Sequence, residues 1–300
     1  MALYAFDGTW NEEKDTGEYG KNTNVVKFRD AYDGKHEFYT KGVGTKHGII
    51  GKIFGGAFGA GGQERIDEGR KSLFDNFSVG DKEIDIVGFS RGAALALHFA
   101  NTIAREGVRN AETGERLAEK PAIRFLGLWD VVAAFGIPID IGIPFSRINL
   151  GYRLKLPDNV KYCFHALALD ERRQAFRPTR VNGGYEVWFR GVHSDIGGGN
   201  DNQALSHIAL RWMLRKAAKA GLPIRPGADR MLDATINSKA GISENKDLIK
   251  NDPRDVKPAD LIHYTIMARN GDVNPPAGAP VESDAQEGER LKPLREPGAV

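Results

Sequence analysis

Apolar residues in this chain fall into short runs that alternate between two periods. Leu3-Tyr-Ala-Phe6 is one continuous run, stopped by Asp7-Gly8. His36–Thr40, Ile84–Gly88, Ile123–Trp129, Val160–Leu169 and Tyr185–Val192 follow the same pattern. Runs of this length with few polar interruptions predict strands buried on both faces. Between them the spacing becomes helical. Asn22–Tyr32, capped by Asn22 or Thr23, gathers Val25, Val26 and Phe28 on one side. Gln63–Phe77 does the same with Ile66, Leu73, Phe74 and Phe77. Ala93–Ala104 is rich in Ala and Leu, and Leu205–Ala220 is amphipathic until Gly221-Leu-Pro223 ends it. Strands alternating with helices predict the α/β class, with a mostly parallel central sheet covered on both faces. A single domain is expected over residues 1–264. Residues 265–300 read as a polar, Pro-rich tail that at most wraps the domain.

Composition narrows what such a domain can do. With 41% hydrophobic and 27% charged residues, the chain can bury a large core, which excludes disorder for most of its length. A net charge of +2 offers no electrostatic footprint for nucleic acid. The single cysteine, Cys163, excludes an internal disulfide framework and a Cys-rich zinc site, and its apolar run predicts a buried thiol. The first residues lack the basic and long apolar regions of a signal peptide. No run approaches the roughly 18 apolar residues of a membrane span. The expected site of synthesis is the cytoplasm, with any export by a route that needs no cleaved signal. Glycine is in excess at 36 of 300, and nine lie in Gly42–Gly62. No Gly-Lys-Ser/Thr ends that stretch, so it is no phosphate-binding P-loop. It reads as a close-packed loop or as a lipid contact with Lys46 and Lys52 nearest the headgroups.

The strongest local signal is Gly88-Phe-Ser-Arg-Gly92, placed between a predicted strand and a predicted helix. A serine on so tight a turn exposes its hydroxyl at a helix N-terminus, and small residues two before and two after let the two backbones approach. Ser90 is therefore the candidate nucleophile. It needs a histidine base, and the base needs an orienting carboxylate. Of seven histidines, His36, His47 and His98 are wrongly ordered or placed, His165 lies in a strand, His207 in a helix and His263 near the tail. His193 directly follows the run Tyr185–Val192 and opens the loop His193-Ser-Asp-Ile-Gly-Gly-Gly199, which makes it the candidate base. Two acids stand at strand ends before it: Asp130 and Asp170. Position slightly favours Asp170, whereas the run Asp170-Glu-Arg-Arg173 suits a salt-bridged segment; spacing leaves the choice open. Asp195 is suited to fixing the histidine loop.

Transition-state charge in such a site is held by two backbone N–H groups. One is expected from Arg91, and the other from the loop Phe6-Asp-Gly-Thr-Trp-Asn11, at Gly8 or Thr9. Asp-Gly-Thr after a first strand also suggests a haloacid-dehalogenase-type phosphatase, but the nucleophilic aspartate would fall at Ala5. Residues 133–150 are too apolar for an ordinary surface loop and too broken by Gly and Pro for a helix. They are expected to form a lid or to line an acyl pocket, with Phe135, Ile137, Ile139 and Phe145 joining Phe89 against the substrate.

Taken together, Phe6–Asn11, Gly88–Ala93, Leu128-Trp-Asp-Val-Val132, His165–Glu171 and Trp188–Gly199 resemble an α/β-hydrolase domain family that includes lipase effectors of bacterial type VI secretion systems. The resemblance runs from about residue 2 to about 222 of this sequence. It implies an α/β-hydrolase-like fold and a lipase or phospholipase activity on acyl esters. In the family the triad acid follows the Trp-Asp pair, which selects Asp130 with Ser90 and His193 and leaves Asp170 second. It also implies a lipid substrate, peripheral membrane contact, a secretion-system or immunity partner, and no cofactor or metal. The readings of another class are a catalytically silent hydrolase-fold binding protein and a membrane-surface-binding module. Secreted members often carry large extra modules, and this sequence is close to the bare domain.

Overall fold

A computed structural model of the chain describes residues 1–8, 21–42, 57–133, 154–244, 252–269, 273–283 and 293. The elements in chain order are β1 (Ala2–Phe6), α1 (Asn24–Ala31), β2 (His36–Thr40), α2 (Ala57–Ser78), β3 (Ile84–Phe89), α3 (Ser90–Glu106), β4 (Val108–Arg109), β5 (Arg116–Ala118), β6 (Ile123–Trp129), β7 (Val160–Ala168), β8 (Tyr185–Phe189), α4 (His193–Gly197), α5 (Gln203–Lys219), β9 (Leu261–His263) and β10 (Val281–Glu282). Eight strands form one sheet in the order β10-β9-β8-β7-β6-β3-β1-β2, and every pairing within it is parallel. The expected α/β architecture, a mostly parallel sheet between helical layers, is the one observed. The order reverses between β1 and β3, and the turns after these two strands open at that switch point, where α/β sheets bind their ligands.

The continuous apolar runs follow from burial of both sheet faces. Along β1, Ala2, Tyr4 and Phe6 face the layer that holds Ile66 and Leu73 of α2 and Phe99 of α3. Leu3 and Ala5 face the opposite layer, with Phe28 of α1 and Met213 of α5. Each large side chain so buried is worth about 1.5–3 kcal/mol in transfer free energy. Cys163 is buried as expected, and burial pushes its thiol up, out of the reactive range.

Three boundaries differ from the sequence pattern. Helix α2 begins at Ala57, so Gly59, Gly61 and Gly62 are helical rather than part of a loop. Glycine costs a helix about 1 kcal/mol per residue; further along, Gly69 gives Phe99 its place. Helix α3 starts on Ser90 itself. Beyond residue 264 the chain still builds the domain. Ile266, Val273 and Ala279 cover Trp188, and Glu282 of β10 is fully buried. That carboxylate pairs with Lys216 of α5 and accepts from Trp212 Nε1 at 2.8 Å. The remainder of the glycine-rich stretch lies outside the described residues.

Candidate active site

Strand β3 delivers Ser90 on a turn that only small neighbours allow. A Cβ on Gly88 would lie 2.7 Å from Ala93 Cα, and one on Gly92 would lie 2.3 Å from Phe6 O and 2.4 Å from Asp7 O. The first turn of α3 thus rests directly on the end of β1. Ser90 itself has φ +59°. Asp130, after β6, has φ +42°, and these are the two non-glycine residues with positive φ among those described. Backbone strain of this kind concentrates at functional sites. Each turn is braced from outside: Val132 N–H donates to Ser90 O at 3.2 Å and Val131 N–H to His165 Nε2 at 3.1 Å. His165 is in turn held by Glu186 at 2.8 Å, which accounts for a buried histidine within a strand.

His193 begins the single-turn helix α4. Its backbone N–H donates to Glu171 Oε2 at 3.1 Å. The Asp195 carboxylate caps the turn through Val192 N–H and binds Ser243 and Asn200, so this residue fixes the loop. The three candidate groups meet in one line. His193 Nε2 lies 2.8 Å from Ser90 Oγ, and His193 Nδ1 lies 2.6 Å from Asp130 Oδ2. Asp130 is fully buried; its Oδ1 also accepts Ala168 N–H at 3.0 Å. Burial would raise the Asp130 carboxyl, but the charge of Arg254 and hydrogen bonds from His193 and Arg254 outweigh it and hold the carboxyl well below the usual range. Burial lowers the affinity of His193 for a proton, and Asp130 only partly offsets this. The burial of the ring thus favours the neutral imidazole, the form that a general base requires.

Asp170 does not reach His193. Its oxygens bind Arg190 Nη1 at 2.7 Å and Gly191 N–H at 2.7 Å. Gly8 also departs from expectation: its N–H already donates to Asp7 Oδ1 at 2.7 Å, which removes it as a donor to an oxyanion. Asp7 is buried, also binds Thr23 and Tyr39, and is raised to about 6 by that burial despite these bonds. Thr9 lies outside the described residues. The Arg91 N–H sits in the first turn of α3. Burial lowers the Arg91 guanidinium to about 10. Phe89 is a correction. It is 2% exposed, its ring packs 4.6 Å from the His193 ring, and Gly197 makes room for it, so it supports that ring rather than lining a substrate path. Phe135, Ile137, Ile139 and Phe145 lie outside the described residues.

Sequence spacing did not point to Arg254, Glu171 or Phe176. Arg254 forms a two-pronged pair with Asp130, and Phe176 meets the His193 ring edge-on at 4.8 Å. Beside them lies a cavity of about 310 Å³ whose wall includes Arg172, Arg173, Arg177, Arg180 and Arg254 with Glu171 and Asp252. So charged a wall does not suit an acyl chain. Among the described residues no helix is long and apolar enough to cross a membrane.

A family model described as the catalytic domain of Tle1-like phospholipase effectors of type VI secretion systems matches residues 3–120 and 108–216. The fold is similar to a crystal structure of an uncharacterized protein from Pseudomonas aeruginosa, with 22% identity, TM-score 0.50, and coverage of 80% of this chain and 51% of that one. It is also similar to the structure of a Tle1 effector bound to the VgrG spike of a type VI secretion system, with 21% identity, TM-score 0.52, and coverage of 79% and 76%. A stretch of 48 residues is 46% identical to an uncharacterized protein of Saccharomyces cerevisiae, covering 14% of this chain and 7% of that protein.

Proposed function

The chain belongs to the family of Tle1-like phospholipase effector catalytic domains, and on that premise we propose that it is a serine ester hydrolase acting on acyl esters of phospholipids. The observation that carries this reading is the unbroken line from Ser90 Oγ through His193 to Asp130. Ser90 Oγ attacks the acyl carbon while its proton passes to His193 Nε2. Asp130, ionised and bonded to Nδ1, stabilises the imidazolium and fixes the ring. The oxyanion is held by Arg91 N–H and by the loop after β1, at Thr9 now that Gly8 is engaged. On collapse the C–O bond breaks and His193 returns the proton to the leaving alcohol, a lysophospholipid. Water then gives its proton to His193, attacks the acyl-serine and frees the fatty acid as Ser90 regains its proton. No cofactor takes part. The apolar stretch 133–150 is the candidate acyl pocket or lid. The Tle1 effector of solved structure is bound to a VgrG spike; a spike protein of that kind is the partner proposed for export.

Ser90→Ala tests the reading. Turnover of a short-chain chromogenic ester and of phospholipid vesicles should fall by at least about 10³-fold while the melting temperature holds. A fluorophosphonate probe should label the wild-type protein at Ser90. A folded Ser90→Ala protein that keeps its activity would sink the proposal.

A further inference from the structure

Among the described residues, the cation that reaches the line of three comes from outside the region that the family model matches. Arg254 lies 38 residues beyond residue 216, the end of the matched region, in a segment docked by Asp252 N–H on Arg172 O at 2.9 Å. Its Nη2 donates to Asp130 Oδ2 at 2.9 Å and its Nη1 to Oδ1. The same two nitrogens donate to Phe176 O at 2.6 Å and Ala168 O at 2.8 Å, so strand β7 and the turn after it fix the guanidinium in turn. The side chain is 3% exposed. Asp130 therefore accepts from four donors: Ala168 N–H and Arg254 on one oxygen, His193 and Arg254 on the other. A planar guanidinium that binds both oxygens fixes the rotation of a carboxylate as well as its charge, which a single point donor does not.

We propose that Arg254 is a positioning residue of this site: it fixes the Asp130 carboxylate toward His193 and keeps it charged, so that the segment after residue 251 is a working part of the catalytic unit. The proposal rests on the catalytic reading of Ser90, His193 and Asp130. Among the described residues, the charged groups that face His193 are Asp130 at Nδ1, Glu171 at its backbone N–H and Arg254 behind Asp130, with the Ser90 hydroxyl at Nε2. Arg173 lies further out, stacked on Phe176 and paired with Glu171. Of these, Arg254 is the cation that opposes a proton on His193.

The test uses the full chain with Arg254→Met and Arg254→Lys. In Arg254→Met the His193 ring, followed by NMR, should titrate at least about one unit higher, because Asp130 is no longer neutralised and a nearby like charge is gone. The acid limb of kcat/KM should move up with it, and kcat should fall by about 10- to 100-fold with KM unchanged. Arg254→Lys keeps the charge but loses the fork: its limb should stay near wild type while kcat falls by a smaller factor. A folded Arg254→Met protein whose His193 titrates as in wild type would overturn the proposal, since a merely structural role lowers the melting temperature and leaves the titration alone. If Arg254→Met does not fold, Arg254→Lys decides: unchanged kcat overturns the proposal and a reduced kcat at constant KM supports it. The NMR titration needs no turnover. Failure of the Ser90→Ala test would therefore remove the catalytic reading and leave the coupling between Arg254 and His193 separately visible.

Discussion

Asp130 and Asp170 hold equivalent places and do opposite things. Each follows the C-terminal end of a strand, β6 or β7, and the two strands are neighbours. Both are buried, both precede His193, and each is bound by an arginine. The difference lies in what meets the rest of the carboxylate. Asp130 meets the His193 imidazole, and the sum of its partners pulls its carboxyl down. Asp170 meets the Gly191 N–H, and burial, incompletely offset by Arg190 and that N–H, leaves its carboxyl raised. Gly191 stands two residues before His193. One carboxylate thus faces the ring, while the other ties down the backbone that leads to it. On the proposed reading, a strand-end acid becomes a triad acid through the group that it faces, and position along the sheet is not enough.

The comparison breaks most visibly in kinetics. Asp130→Asn should lower kcat by about 10⁴-fold, because the amide orients the wrong imidazole tautomer and cannot stabilise its charge. That is about 5 kcal/mol of barrier. Asp170→Ala should keep kcat within about tenfold, a change of less than ~1.4 kcal/mol. Steady-state rates on a soluble ester decide: equal losses in the two variants would erase the distinction. In stability the ranking reverses for Asp170. Asp170→Ala leaves the buried Arg190 without its carboxylate, and breaking a buried pair costs about 3–5 kcal/mol. Urea midpoints would measure it, and a midpoint at the wild-type value would show that Arg190 finds Val273 O sufficient.

A smaller effect sharpens the same contrast through pH. The folded-state value of Asp130 lies below its unfolded one, near 3.9. Its stabilising contribution is therefore complete above about pH 4 and is lost as pH falls through the folded value. For Asp170 the folded-state value is raised, so the native state binds the proton more readily. Its contribution runs the other way, growing as pH falls through the raised value. Relative to Asp130→Asn, wild-type stability should shrink on acidification below about pH 4; relative to Asp170→Asn it should grow as pH falls through the raised folded value toward about 4. Equal signs in urea titrations would refute the assignment of opposite environments.

Much of this was legible because backbone demands leave residue signatures. Two buried sheet faces require apolar runs, and an elbow between β3 and α3 requires glycine at 88 and 92. The loop after β8 announced His193 in the same way. What stayed hidden depends on contacts across the fold. Arg254 lies 124 residues from Asp130 in a polar stretch without periodicity. Spacing could not separate Asp130 from Asp170, since both satisfy the same chain order. Phe89 looked substrate-facing because it adjoins Ser90, but strand alternation turns it, with Val87, into the layer beneath α4. Strands β9 and β10, of three and two residues, are too short to show a period.

The smallest predicted effect concerns the backbone at the two acids. Asp130 has φ +42°, whereas Asp170 is not among the positive-φ residues. A residue with a Cβ pays roughly 1–2 kcal/mol to sit in the left-handed region. Glycine escapes that cost but loses about 0.4–1 kcal/mol through its freer unfolded chain. At position 130 the first effect exceeds the second, so Asp130→Gly should be more stable than Asp130→Ala by about 0.5–1 kcal/mol. At position 170 only the second operates, so Asp170→Ala should be more stable than Asp170→Gly by about 0.4–1 kcal/mol. Both members of each pair lose the same carboxylate, so the electrostatic loss cancels and the sign of the difference reports the backbone alone. If alanine wins at both positions, the turn at Asp130 is not held in the left-handed region in solution. The strain that sets Asp130 apart from Asp170 would then have to be relieved before the carboxylate meets His193.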